Sequence, residues 1–121
     1  MTNELTQNLI YLGITPSKQG FNYISFVIDT MNENPCMTLK DVYNKISLTK
    51  GVNKNTIDSS IRNVIHTAYD SGKLMRLNLK IGCDVIGDRC PTNKEFISIL
   101  ICYLNKQFES FGDNLIINRG S

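Results

Sequence analysis

The chain has 121 residues, of which 41% are hydrophobic and 20% are charged, and its formal net charge is +2. This length suits a single domain with one core, and this composition is typical of a folded globular protein rather than a disordered one. No apolar run is long enough to cross a bilayer, and the N-terminal residues lack the basic and then apolar pattern of a signal peptide. We therefore expect a cytoplasmic protein whose four cysteines are reduced, with Cys102 in the core.

The first two predicted elements are helices separated by a turn. Residues 5–12 carry apolar side chains at helical spacing and are followed by Gly13, so they predict a short first helix. Pro16 biases the residue before it away from helical backbone, which ends that element. A second, largely buried helix is predicted to start at Lys18 or Gln19, and the Asn-Glu-Asn-Pro sequence at residues 32–35 ends it.

Residues 38–74 predict two further helices joined by a short break. The first places apolar side chains at the i, i+3, i+4, i+7 spacing of one helix face: Leu39, Val42, Tyr43 and Ile46. Thr38 precedes it as an N-cap, with Asp41 three residues later as in a capping box. The break at residues 48–53 contains Gly51. The second helix, at about residues 53–70, buries Ile57, Ile61, Val64, Ile65 and Ala68. Two helices joined by a glycine-containing turn, the second with a polar face, predict a helix-turn-helix.

Basic charge is concentrated on this helix pair. Residues 40–80 contain eight basic and three acidic residues, a net charge of +5, whereas the whole chain carries only +2. A surface that faces DNA phosphates requires such a concentration of positive charge. The alternative interpretation is an ordinary solvated lysine face.

The segment after residue 72 has a less regular pattern. Alternating apolar residues are typical of a strand: Leu77, Leu79 and Ile81. Residues 74–81 therefore predict a short helix or strand followed by a loop. Arg76 and Lys80 project from this segment, where the wing of a winged helix would lie.

The last long helix is predicted to begin within residues 91–96, with Thr92 or Asn93 as its N-cap and Glu95 in its first turn. Its buried face consists of Phe96, Ile97, Leu100, Leu104 and Phe108. Residues 110–121 form a tail whose apolar piece, residues 115–117, packs on the body or adds a strand to a partner. Residues 1–109 are therefore predicted to form one domain.

No catalytic, cofactor or metal site is predicted. His66 is the only histidine, and the spacing of Cys83 and Cys90 is not a usual zinc-ligand pattern. There is no Cys/His nucleophile signature and no glycine-rich phosphate loop. Asp84 and Asp88 are expected to form turns rather than to act as an acid and base pair. The sequence therefore argues against an enzyme.

Several motifs in the chain resemble the C-terminal effector domain of the sporulation master response regulator of endospore-forming bacteria (stage zero sporulation protein A). The most specific are Ile61-Arg62, the Ala-aromatic-x-x-Gly at Ala68, Tyr69 and Gly72, and the Pro-Thr-Asn-x-Glu-Phe at residues 91–96. The resemblance covers residues 5–107 and also includes LIYLGITPSKQG at residues 9–20. It implies an all-helical fold of about six helices with a helix-turn-helix, and head-to-tail dimers on tandem promoter boxes. The family's receiver domain is not expected in 121 residues.

The resemblance also implies differences in base recognition. The family carries arginines at the positions of Thr56 and Ser59, a glutamate at Asp58 and a histidine at Asn63, whereas Arg62 is kept. Arginine suits bidentate guanine contacts, each worth about 1–3 kcal/mol of discrimination, so specificity is expected to be weaker or shifted. The candidate base-contacting residues are Thr56, Ser59, Arg62 and Asn63. The candidate phosphate-contacting residues are Ser47, Thr49, Lys50, Lys54 and Lys73.

Two functional hypotheses follow from these observations. The first is a sequence-specific transcription regulator that binds double-stranded DNA through residues 53–70 as a homodimer on tandem sites. A full-length regulator or RNA polymerase is its expected further partner, and no interaction with a membrane is expected. The second is a protein-interaction module that lost base readout and modulates a full-length regulator by mixed dimerisation. For the candidate base-contacting residues, the alternative to both is an ordinary hydrated helix face.

Overall fold

Over residues 3–105 the fold is a bundle of six α-helices, which confirms the predicted all-α class with a helix-turn-helix. A computed structural model describes residues 3–105 of the chain. Its helices are α1 (Asn3–Tyr11), α2 (Gln19–Glu33), α3 (Leu39–Lys50), α4 (Lys54–Asp70), α5 (Arg76–Ile81) and α6 (Asn93–Leu104), with a 3₁₀ turn at Lys73–Met75 before α5. Phe108, the apolar piece at 115–117 and the predicted domain boundary at 109 lie outside the described residues, so those expectations stay predictions.

Helix α4 lies at the centre of the bundle and packs against α2, α3, α6 and the 3₁₀ turn. Its buried side chains are those that the helical spacing predicts: Ile57, Ile61, Val64, Ile65 and Ala68. Each of its buried isoleucine and valine side chains contributes roughly 1.5–3 kcal/mol to folding. Because one face of α4 supplies the core, the opposite face is held outward as a rigid surface.

The close approach of α2 to α4 depends on Gly20. A Cβ atom at Gly20 would lie 2.4 Å from the backbone oxygen of Ser60 and 2.8 Å from a methyl group of Val64. Both distances are far below van der Waals contact, so only glycine allows the two helices to pack at this separation. The N-terminus of α2, with Lys18 as its N-cap, is thereby held beside Ser60 and Val64 of α4.

Capping boxes start α3, where the sequence predicts one, and α6, where it predicts only Thr92 or Asn93 as the N-cap with Glu95 in the first turn. The hydroxyl of Thr38 accepts a hydrogen bond from the Asp41 backbone N–H (3.2 Å), and the Asp41 carboxylate accepts one from the Thr38 N–H (3.0 Å). Thr92 and Glu95 form the same reciprocal pair, at 3.1 and 2.9 Å. Each box satisfies two backbone donors that the first turn of a helix otherwise leaves unpaired.

The turn between α3 and α4 is shorter than predicted. The predicted break began at residue 48, which is wrong, because Leu48, Thr49 and Lys50 all belong to α3. The helix ends only at Gly51, whose left-handed backbone (φ 67°) terminates it, and Asn53 caps α4 two residues later. A glycine in this conformation ends a helix more decisively than residues of weak helix propensity do.

Residues 73–81 form helical backbone, so the strand alternative and the wing are wrong for this segment. Gly72 (φ 81°) and Gly82 (φ 90°) adopt left-handed backbone at its two ends, which separates it as a 3₁₀ turn and one short helix. Asn78 then fixes the following loop, because its side-chain oxygen accepts hydrogen bonds from the N–H groups of Val85 (2.9 Å) and Ile86 (2.8 Å).

Candidate nucleic-acid interface

The outer face of α4 carries all four predicted base-contacting residues. Asn53 caps the helix, accepting a hydrogen bond from the Asn55 N–H at 2.7 Å. The apolar stripe then turns the following side chains outward, and each of them is exposed: Thr56, Ser59, Arg62, Asn63 and His66. A helix with one face anchored in a core and the other exposed and polar is the geometry with which helix-turn-helix domains enter the major groove.

Arg62 does not project freely from this face, because it is ion-paired with Asp58 one helical turn earlier. The pairing uses one guanidinium nitrogen, Nη2, and one carboxylate oxygen, Oδ2. About half of the Arg62 side chain is exposed (52%). Arginine has five N–H donors, so most of its hydrogen-bonding capacity is directed to solvent.

The carboxylate of Asp58 is itself held from the interior. Its Oδ1 accepts a hydrogen bond from Asn93 Nδ2 of α6 (2.9 Å) and one from the Tyr43 hydroxyl of α3 (3.4 Å). Burial raises the pKa of Tyr43 to about 12, which favours the protonated hydroxyl that donates to Asp58. Asn93 is buried, and its Nδ2 also donates to the backbone oxygen of Asp58 (3.0 Å). Residues from three helices thus meet beneath Arg62.

Two lysines outside the predicted DNA-contacting set, Lys18 and Lys94, flank the outer face of α4. Lys18, at the start of α2, lines a cleft of about 230 Å³ that also contains Asn63. Lys94, in the first turn of α6, lines a cleft of about 340 Å³ that also contains Arg62. Both lysines lie outside the basic segment at residues 40–80, although the motifs at residues 9–20 and 91–96 contain them. Together they place positive charge on both edges of the polar face.

The predicted phosphate-contacting residues fall into two groups. Four of them lie around the helix-turn-helix turn, at the end of α3 and the first residue of α4: Ser47, Thr49, Lys50 and Lys54. Ser47 is half-buried and the other three are exposed. Lys73 lies elsewhere, in the 3₁₀ turn, where its side-chain stem packs beside Gly13 after α1. The structure therefore brings four of the five candidates to the start of α4.

Arg76 and Lys80 are occupied by contacts with α1. Their charged groups lie 5.0 and 4.9 Å from the ring centroid of Tyr11, and Arg76 also donates a hydrogen bond to the Tyr11 backbone oxygen (2.9 Å). Both cations thus stabilise the end of α1 through cation–π contacts. The net charge of residues 40–80 overstates the charge that is free to face a ligand.

Comparison with protein families agrees with this geometry. The family model "Sporulation initiation factor Spo0A C terminal" matches residues 5–104. The chain belongs to this family. The match confirms the resemblance carried by the motifs, and it makes the chain a DNA-binding effector domain of the sporulation-regulator type. Neither the curated proteins nor the solved structures that were compared give a significant match.

The Spo0A C-terminal family is one of DNA-binding domains rather than enzymes. Over residues 3–105, no three His, Cys, Asp or Glu side chains lie close enough together to hold a metal ion. All four cysteines are free thiols, and burial raises the pKa of Cys90. Cys102 was expected in the core, but it is only partly buried, because the helical period places position 102 on the side of α6 away from the buried Phe96, Ile97 and Leu100. None of the helices in the described part is long and apolar enough to span a membrane.

Proposed function

We propose that this Spo0A C-terminal domain is a sequence-specific transcription regulator that inserts α4 into the major groove of promoter DNA. One observation carries the proposal: the exposed polar face of α4 lies between two clefts, each with a lysine, so both edges can meet phosphates while the centre meets bases. A homodimer on tandem boxes would place two such helices on one promoter. A full-length regulator or RNA polymerase would be a further partner.

Arg62 is the main base reader in this proposal. With Nη2 on Asp58, its remaining N–H donors suit the O6 and N7 acceptors of guanine. Asn63 suits adenine, and the hydroxyls of Thr56 and Ser59 can bond a base or a phosphate. The family's arginines at these last two positions are replaced here, so the site read by this chain would contain fewer specified guanines.

Phosphate contacts fix the orientation of the helix in the groove. We assign them to Ser47, Thr49, Lys50 and Lys54 at the start of α4, and to Lys73 beyond its end. Lys18 and Lys94 join this set because they line the two clefts. Such contacts contribute affinity that falls steeply with salt but carry no sequence information.

The test begins with selection of binding sites from a pool of duplexes with a randomised centre. The enriched duplex and a scrambled version are then compared by fluorescence anisotropy over a salt series. We expect the enriched duplex to bind more tightly, and the Arg62→Ala substitution to reduce the affinity ratio by about 5- to 150-fold, corresponding to about 1–3 kcal/mol. Arg89→Ala is the matched control, because Arg89 is also an exposed arginine paired with a carboxylate, that of Glu95.

The second candidate is a protein-interaction module that lost base readout and acts by mixed dimerisation with a full-length regulator. The observation that favours it is the presence of Thr56 and Ser59 where the family carries arginines. It predicts that no sequence is enriched, that binding to every duplex depends steeply on salt, and that Arg62→Ala leaves the protein's activity intact. Enrichment of a site that depends on Arg62 would exclude it.

A further inference from the structure

We propose that Asn93 is a specificity-determining positioning residue, which acts through Asp58 to hold the Arg62 guanidinium in the orientation that reads a base. This inference rests on the proposed function, since it concerns how the same helix discriminates between sequences. It assigns a role in base selection to a residue of α6, a helix outside the helix-turn-helix.

The two oxygens of the Asp58 carboxylate bond different partners. Oδ1 faces the interior, where it accepts from Asn93 (2.9 Å) and Tyr43 (3.4 Å). Oδ2 faces outward and accepts from Arg62. The two oxygens belong to one rigid planar group, so fixing the first also fixes the second. The position of the guanidinium is therefore determined by donors from α3 and α6.

Asn93 has little freedom to move away from Asp58. Only 8% of Asn93 is exposed, and its amide nitrogen bonds both the side chain and the backbone oxygen of Asp58. Its own backbone lies directly after the Thr92 cap of α6. An amide held at the start of one helix and bonded to the backbone of another forms a rigid support, and such support is what precise recognition requires.

The consequence concerns specificity rather than overall affinity. A long arginine side chain that is half-exposed samples many rotamers, and ordering it opposes binding. If Asp58 loses its interior donors, Arg62 still attracts phosphates but no longer presents a fixed pair of donors to guanine. Removing Asn93 should therefore lower discrimination while leaving non-specific binding, which depends on phosphate contacts, unchanged.

The experiment is a double-mutant cycle with Asn93→Ala, Arg62→Ala and both together, measured on the duplex enriched by the wild-type protein and on its scrambled version. We expect Asn93→Ala to lower the affinity ratio about tenfold, or about 1.4 kcal/mol. In the Arg62→Ala background the same substitution should have no further effect, because its target is gone. Asn105→Ala is the matched control. Asn105 caps the C-terminus of α6, and its side-chain amide donates a hydrogen bond to Asn32 (3.1 Å), far from Asp58 in sequence.

An equal loss of discrimination in both backgrounds, or an unchanged ratio in the Asn93→Ala protein, would overturn the inference. Circular dichroism verifies that each variant is folded at the assay temperature. If Asn93→Ala does not fold, Tyr43→Phe replaces it, because it removes a single hydroxyl from Asp58 and should lower the ratio in the same Arg62-dependent way. If the wild-type chain enriches no sequence, the proposed function itself fails, and this inference with it. If Arg62→Ala lowers the ratio and Asn93→Ala leaves it unchanged, the proposed function stands and only the role of Asn93 is refuted.

Discussion

The substitution Gly20→Ala tests the packing that holds α2 against the recognition helix. Helix propensity alone predicts that alanine is better than glycine by about 1 kcal/mol inside a helix. The structure predicts the opposite sign. The added Cβ would lie 2.4 Å from the Ser60 oxygen, so the two backbones would have to separate by about 0.6 Å to reach even 3.0 Å.

The magnitude follows from the kind of atom that the new methyl group meets. The Ser60 oxygen belongs to the backbone of α4, so it cannot move aside as a flexible side chain would. Overpacking of this kind typically costs about 1–3 kcal/mol. The gain in propensity is small because Gly20 is only the second residue of α2. We expect a net destabilisation of about 1–3 kcal/mol, which lowers Tm by roughly 4–12 °C in a chain of this size.

Urea denaturation followed by circular dichroism measures the effect as a lower midpoint with an unchanged m value. Gly87→Ala is the matched control, because a Cβ there would meet no atom within 4 Å and its backbone does not have positive φ. The control should stay within about 0.5 kcal/mol of wild type. A Gly20→Ala protein as stable as wild type, or more stable, would refute the close approach of α2 and α4.

Three further predictions concern other parts of the molecule. Lys18→Ala and Lys94→Ala should each weaken binding to all duplexes alike and reduce the slope of log affinity against log salt by about 0.9. Hydrogen bonding from the Thr92 N–H, followed by that from Arg89, lowers the pKa of Glu95 from 4.5, so its contribution to stability is complete above pH 4.5 and is lost as pH falls through the folded-state value. Glu95→Gln should therefore reduce the acid dependence of Tm. Ile61→Ala, at a fully buried site, should cost about 2–5 kcal/mol in urea denaturation.

Each of these predictions has a contrary outcome. A lysine variant that changes the preference among sequences would show that the lysine reads bases. An undiminished acid dependence in Glu95→Gln would show that other carboxylates govern acid unfolding. A cost for Ile61→Ala no larger than that for Ile10→Ala, at a site that is 49% exposed, would contradict the central place of α4 in the core.

The helices were predictable because their signals are local. Apolar spacing in α4 predicted its five buried residues. The starts of α3 and α6 are marked by Thr38 with Asp41 and by Thr92 with Glu95, two residues three positions apart in each case. Such signals depend on neighbours within one or two turns, which a sequence displays directly. The choice between strand and helix at residues 73–81 was not decidable in the same way, since it depends on left-handed backbone at Gly72 and Gly82.

The support beneath Arg62 was not predictable, because its parts are distant in sequence. Asn93 is 35 positions from Asp58 and 50 positions from Tyr43. Considered separately, a polar residue near a helix start suggests only a cap, and a tyrosine at helical spacing suggests only core packing. Their common role arises from the packing of α3 and α6 on α4. The place of Lys18 was not predictable for a similar reason, since only the close approach at Gly20 brings it beside Asn63.

The side chains on the outer face of α4 differ in how strongly they are tied to the rest of the fold, which matters for engineering proteins that bind other DNA sequences. Thr56, Ser59 and Asn63 are exposed, and within the described part of the chain their side chains donate or accept no hydrogen bond. Libraries at these three positions would therefore sample new targets without disturbing the fold. Arg62 belongs to a different class, because replacing it leaves the Asp58 carboxylate partly buried without its cation. To change the DNA sequence that is bound, the three positions should therefore be varied freely. A set of four linked residues should be kept or transferred to another domain together: Arg62, Asp58, Tyr43 and Asn93.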